Sequence, residues 1–187
     1  MTKGLSHVRT GSLLVAEPFL WDGNFRRSVI LLTDCREDGA VGFILNKELA
    51  QRVDELPIDL PHFEVPAFHG GPVARDRLYF LHNVGNLLDG SIQICNGVWF
   101  GGDFEQLRFL ISSQLIEEKH IRFFVGYAGW SEGQLKDEIE TGSWIVADMD
   151  SNYVFNTPPE LLWKRVLQNK GAAFSIIADM PDDNVVN

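Results

Sequence analysis

The chain has 187 residues, 45% hydrophobic and 22% charged, with a formal net charge of −10. A length of this order suits one domain spanning 1–187 with a sizeable core, and the composition excludes a disordered or fibrous protein. The acidity argues against direct nucleic-acid binding, which rests on Lys and Arg neutralising phosphates, and basic residues adjoin only at Arg26-Arg27 and Lys164-Arg165.

No apolar run reaches the roughly 18 residues a membrane helix needs, and the start, from Met1 to His7, lacks a signal-peptide core. Cys35 and Cys95 have neither the number for a disulfide scaffold nor zinc spacing. A protein of the reduced cytoplasm, with no metal, cofactor or membrane partner, is the expectation.

Strand-like runs fill the first half. Ser28–Thr33 and Ala40–Leu45 flank a polar turn ending in Asp38-Gly39 and read as a hairpin buried on both faces. Gln51–Pro66, with three prolines, reads as loop holding at most a short helix. Arg77–His82 is another strand, and Ser91–Cys95 meets Val98–Phe100 across the turn-forming Asn96-Gly97.

Helices enter in the second half. Asp103 with Gln106 is a capping pair, and Leu107, Leu110, Ile111 and Leu115 carry a helical stripe to about Lys119. Strands follow at 121–128 and 143–147. Thr157 as N-cap and Pro158 at the first helical position open a last helix, which buries Leu162 and Val166 and stops at Gly171. These elements predict an α/β sandwich with a mixed, mostly antiparallel sheet and flanking helices.

Two short motifs invite a catalytic reading. Gly129-Trp130-Ser131-Glu132-Gly133 matches the G-x-S-x-G nucleophile elbow between an apolar run and a helix, and His69-Gly70-Gly71 matches an oxyanion-hole element of lipases and esterases. A serine hydrolase using Ser131 is therefore one alternative. Against it, His7, His62, His69, His82 and His120 all precede Ser131, whereas that fold places its histidine after the serine. Ser131 and Gln134 also fit a capping box, making Ser131 a helix cap with Leu135 and Ile139 facing inward.

Other sites are weaker. Gly70-Gly71-Pro72 suits a tight turn better than an anion nest, and Asp148, Asp150 and Asn152 lack the glycine and glutamate of a calcium loop. No catalytic residue is assigned. The density of Trp, Tyr and Gly over 126–144 instead suggests a core anchor or a shallow cleft for a partner.

Gly126-Tyr127-Ala128-Gly129-Trp130 with Gly133-Gln134-Leu135, Glu138, Gly142 and Trp144 resembles the YqgE/AlgH family of bacterial proteins. Gly11–Ala16 with Pro18, Phe25, Arg27–Val29, Gly39–Gly42 with Asn46, and Gly70–Val73 extend the resemblance along the chain. It implies one α/β domain whose sheet curls toward a pseudo-barrel, without an established enzymatic activity; some members are labelled transcriptional regulators. The family usually has Gly where this chain has Ser131 and Glu where it has Lys136.

The leading expectation is a non-enzymatic regulatory or interaction module. Its binding cleft would comprise Asn46, Gly70, Gly71, Pro72, Gly126, Tyr127, Gly129, Trp130, Gly133, Gln134 and Leu135 and take an unknown protein or small ligand. A DNA-binding transcriptional regulator is the weakest alternative.

Overall fold

A computed structural model describes residues 8–181. Ten strands form one mixed sheet: β1 (Leu13–Ala16), β2 (Val29–Arg36), β3 (Gly39–Ile44), β4 (Glu48–Arg52), β5 (Pro66–His69), β6 (Val73–His82), β7 (Ile92–Cys95), β8 (Val98–Phe100), β9 (Ile121–Ser131) and β10 (Trp144–Ala147). Its main path runs β10-β1-β2-β3-β9-β6-β8-β7. All these pairs are antiparallel; β5 adds the one parallel pairing described, against β9, and β4 pairs β5. Among the described residues five helices flank the sheet: α1 (Phe104–Ser112), α2 (Gln134–Glu140), α3 (Asn152–Phe155), α4 (Pro159–Lys170) and α5 (Ala172–Ala178).

The sheet is curled but not closed. Edge strands β10 and β7 face each other across a groove of about 730 Å³ lined by Gly11, Ile94, Cys95, Val146 and Ala147. Inside the curl lies a core of Leu13, Val15, Leu31, Phe43, Phe68, Phe124 and Val98, sealed by Tyr153, Leu162, Trp163 and Val166 from α3 and α4. Two further apolar cores sit outside it, one beneath α2 and one beneath α1. Burial on both sheet faces is why β1, β2 and β3 read as continuous apolar runs rather than alternating ones.

Strand β9 joins two half-sheets. Its C-terminal part, Ala128–Ser131, pairs with β3, while its N-terminal part, Ile121–Val125, lies between β5 and β6. Between them Gly126 takes φ of +72°, a conformation disfavoured for residues with a Cβ. That twist resets the in-and-out alternation of the strand. Phe124 and Tyr127, three residues apart, consequently both join the inner core.

The chain crosses β9 at the same place. Gly70 donates its N–H to Val125 O and accepts from Ile44 N–H, each at 2.9 Å. A Cβ on Gly70 would lie 2.2 Å from Gly126 O, and one on Gly71 would lie 2.1 Å from Tyr127 C. Two backbones pass here at a distance that excludes side chains.

Several boundaries depart from the sequence expectation. Helix α1 ends at Ser112 rather than near Lys119, because Gln114 turns left-handed at φ +57°. Leu115 N–H then donates to Leu110 O and Gln114 N–H to Ile111 O, a Schellman motif that leaves Leu115 exposed. Helix α4 starts one residue late: Pro158 is its N-cap and Pro159 its first residue, while Thr157 Oγ1 donates to Asn152 O at 2.9 Å. The 51–66 stretch includes the end of β4 and a 3-10 turn, and α5 was not anticipated.

Candidate functional site

The elbow segment folds differently from both readings of Ser131. Strand β9 runs through Ser131, which opposes Gly39 of β3. Helix α2 starts at Gln134 with Gly133 as its N-cap in the left-handed conformation, φ +79°. The expected helix cap at Ser131 is therefore corrected to Gly133. Half of the capping box survives. Ser131 N–H donates to Gln134 Oε1 at 3.1 Å and Ser131 Oγ–H to the same atom at 3.3 Å, but Ser131 Oγ does not accept from the Gln134 backbone.

A nucleophilic Ser131 finds no base among the described histidines. His69 opposes Val125, six residues up β9 from Ser131, so their backbones lie about 20 Å apart at the usual strand rise. His82 opposes Ile121, farther still. Its Nδ1 accepts from Val84 N–H and its Nε2–H donates to Gly101 O, which fixes the neutral tautomer. His62 sits against Asp54 and His120 caps Glu117 N–H. His7 lies outside the described residues. Cys35, nearer to Ser131, has its thiol pushed up by burial and then by Asp34, which disfavours a thiolate.

What organises this end of the molecule is Glu138. Trp130 Nε1–H and Trp144 Nε1–H both donate to its Oε2 at 2.8 Å, and Gln134 Nε2–H donates to Oε1 at 2.9 Å. Trp130 and Trp144 meet edge to face at 6.0 Å, and Phe25 packs against both. One carboxylate thus ties α2 to β9 and β10. With Trp130 only 6% exposed, its ring is core, not cleft lining.

Beside this node is a cleft of about 520 Å³ between α2 and the β2–β3 hairpin. Ala40, Leu135, Ile139 and Val8 provide apolar walls; Arg36, Glu37 and Lys136 provide charge of both signs. Ser131 and Gly133 also line it. The pairing of Gly39 with Ser131 is what brings the hairpin turn to α2.

Of the sequence-expected cleft residues, Gly133 and Leu135 line this site and Gln134 braces Glu138 behind it. The others lie apart. Asn46 Oδ1 accepts from Val29 N–H and its Nδ2–H donates to Arg27 O, both at 2.9 Å, pinning the loop before β2. Gly70, Gly71 and Gly126 form the backbone crossing, with Pro72 exposed next to it. Tyr127 packs into the inner core against Tyr79, and Gly129 is exposed on β9. Cys35, Arg36, Glu37, Ala40 and Ile139 were missed as site residues. The one available signal was the i, i+4 spacing of Leu135 and Ile139, which marks a helix face without naming what it faces.

Comparison with known proteins gives a family but no activity. Residues 13–175 match the family described as DUF179, AlgH-like. A UPF0301 protein of Chlorobaculum tepidum is 40% identical over 182 residues, covering 97% of each chain. One from Cytophaga hutchinsonii is 40% identical over 178 residues, covering 95% of this chain and 98% of its own. Among solved structures, a Corynebacterium diphtheriae protein superposes with a TM-score of 0.75 at 25% identity, covering 93% of each chain. The AlgH protein of Pseudomonas aeruginosa does so at 0.73 and 26% identity, covering 97% of this chain and 98% of its own. The relatives carry names without a function, and the chain belongs to the AlgH-like, UPF0301 family of bacterial proteins.

Proposed function

We propose that this protein is a non-enzymatic, single-domain binding module of the bacterial cytoplasm, capturing a small ligand or a side chain of a partner protein in the cleft between α2 and the β2–β3 hairpin. The observation that carries this reading is the cleft's make-up: about 520 Å³, with an apolar interior and a few charged groups at its mouth. Binding sites for small molecules and anchor side chains have this size and composition. A rigid frame supports it. The Trp130–Glu138–Trp144 node fixes α2, so the site is held open without having to be ordered on binding. A direct role on DNA is disfavoured by the net charge of −10.

The test is capture from bacterial lysate with Ile139→Asp, which puts a charge in the cleft, beside Ile176→Asp, which alters an exposed residue of α5. Loss of a bound species with the first change, retention with the second and an unaltered melting temperature in both support the reading. Equal capture by both variants removes it.

A further inference from the structure

A second site lies at the junction of the two half-sheets, away from the α2 cleft. Glu48 opposes Phe68 in the β4–β5 pair, so the next rung sets Lys47 opposite His69, closed by His69 N–H donating to Lys47 O at 2.7 Å. Side chains directly opposite in such a pair lie on one face with Cβ atoms about 5 Å apart. His69 in turn opposes Val125 on β9.

Across β9, Val73 opposes Tyr127 but Leu78 opposes Val125, so the intervening residues 74–77 bulge out of the ladder. Ala74 enters this bulge with φ of +48°, a strained conformation for alanine that is more often kept at functional sites. Arg75 follows it, its Cγ 3.5 Å from where a Cβ on Gly126 would sit. The side-chain-free crossing thus lets an arginine lie across β9 toward His69.

Both cations act against a charge on His69. Burial first, then Arg75 and Lys47, holds the His69 imidazole below its ordinary value, and burial, then Arg26, holds Lys47 down. Like charges facing each other in a sheet are destabilising, and this cluster occurs in a chain of net charge −10. Donor capacity remains. Lys47 Nζ gives one of its three N–H groups to Arg26 O at 2.7 Å. Neither the His69 ring nor the exposed Arg75 guanidinium has a hydrogen-bond or ion-pair partner among the described residues. Of the neighbouring carboxylates, Glu48 lies on the opposite strand face, where it interacts with Arg122, and Asp76 is exposed within the bulge.

We infer that Lys47, His69 and Arg75 form a binding site for a phosphoryl group, as free phosphate or as the monoester of a small metabolite. Two fixed cations match the charge of roughly −1.5 to −2 on a phosphomonoester at neutral pH. The imidazole adds a third donor, so the site would offer a tetrahedral oxyanion an ammonium from the residue just before β4, an imidazole from β5 and a guanidinium from the bulge of β6. The guanidinium supplies the forked geometry suited to two of its oxygens.

The test is an NMR titration of the full chain with inorganic phosphate and, separately, glycerol 3-phosphate, at constant ionic strength balanced with chloride. Saturable shifts at Lys47, His69 and Arg75 are expected, with affinity lowered about tenfold or more, as loss of a charge-assisted bond predicts, in Lys47→Met and in Arg75→Met. Lys170→Met, in the groove between the sheet edges, should leave binding unchanged. Tighter binding of the ester identifies a metabolite as the occupant; equal binding identifies free phosphate. Non-saturable shifts, shifts reproduced by chloride alone, stronger binding of acetate, or undiminished binding in both site variants would overturn the assignment.

Discussion

The two half-sheets that share β9 solve the same problem with different chemistry. In the half containing β10, β1, β2 and β3, a carboxylate borne by a helix gathers side-chain N–H groups: Glu138 accepts from Trp130, Trp144 and Gln134. In the half containing β6, β7 and β8, a fully buried neutral imidazole gathers backbone groups: His82 accepts from Val84 N–H and donates to Gly101 O. The first node holds a helix to strands beside an open cleft. The second holds a strand to its own connecting loops, with Ser91 Oγ alongside at 3.1 Å. Polar groups are costly to bury unpaired, so each node is a point where one half can be broken without touching the other.

The largest effect should come from the junction that both halves share. Gly71→Ala would put a methyl group within 2.1–2.3 Å of the Tyr127–Ala128 backbone, where no side-chain rotation gives relief. Loss of soluble folded protein, or destabilisation of more than about 4 kcal/mol in a urea titration, is expected. A near-native midpoint would mean that the two backbones can part.

Next is Glu138→Ala, which orphans two indole N–H groups and should cost about 2–4 kcal/mol. Its signature is local. Tryptophan emission should change and the α2 cleft loosen, while amide exchange around His82 stays slow. Uniform loss of protection across both half-sheets would show that the nodes are not independent.

The other half responds to acid. Burial holds the His82 imidazole below its ordinary value, with the Gly101 hydrogen bond opposing the shift in part; His69 is held down as well, by burial and then by Arg75 and Lys47. A depressed folded value means that the unfolded chain binds the proton first. Stability is therefore complete above the ordinary imidazole value near 6.5 and is lost as pH falls below it. In His82→Gln the acid-side loss should shrink, leaving the share due to His69; melting curves across this range check it.

Smallest is Ser131→Ala. An exposed hydroxyl bonded to one amide oxygen should contribute within about 0.5 kcal/mol, and a fluorophosphonate probe should label neither the parent nor the variant. Labelling lost on substitution would restore the hydrolase alternative.

How much of this was legible depended on the range of the interaction. The β2–β3 hairpin, the Asp103 cap, whose Oδ1 accepts from Gln106 N–H at 2.8 Å, and the inward face of α4 were read from neighbouring residues, because local periodicity and turn chemistry define them. Ser131 was misread for the same reason. Its capping partner is three residues away, whereas the ladder partner that keeps it in a strand is Gly39, far upstream. The grouping of glycines and aromatics into one cleft failed likewise, since sequence proximity placed Trp130 and Gly133 together although they point to core and surface.

The sequence by itself determined the class of fold, the family and the residues that carry the family resemblance, among them the glycines of the crossing, Trp130, Trp144 and Glu138. Tertiary structure alone decided what those positions do. Pairing of β3 and β5 along the same edge of β9 brings Gly39 to Ser131 and His69 to Val125. That pairing turns a capping motif into the wall of a cleft and, with the registers of β4 on β5 and β6 on β9, gathers Lys47, His69 and Arg75 from distant parts of the chain. Contacts closed over long stretches of chain leave no local periodicity behind, and only the folded sheet reveals them.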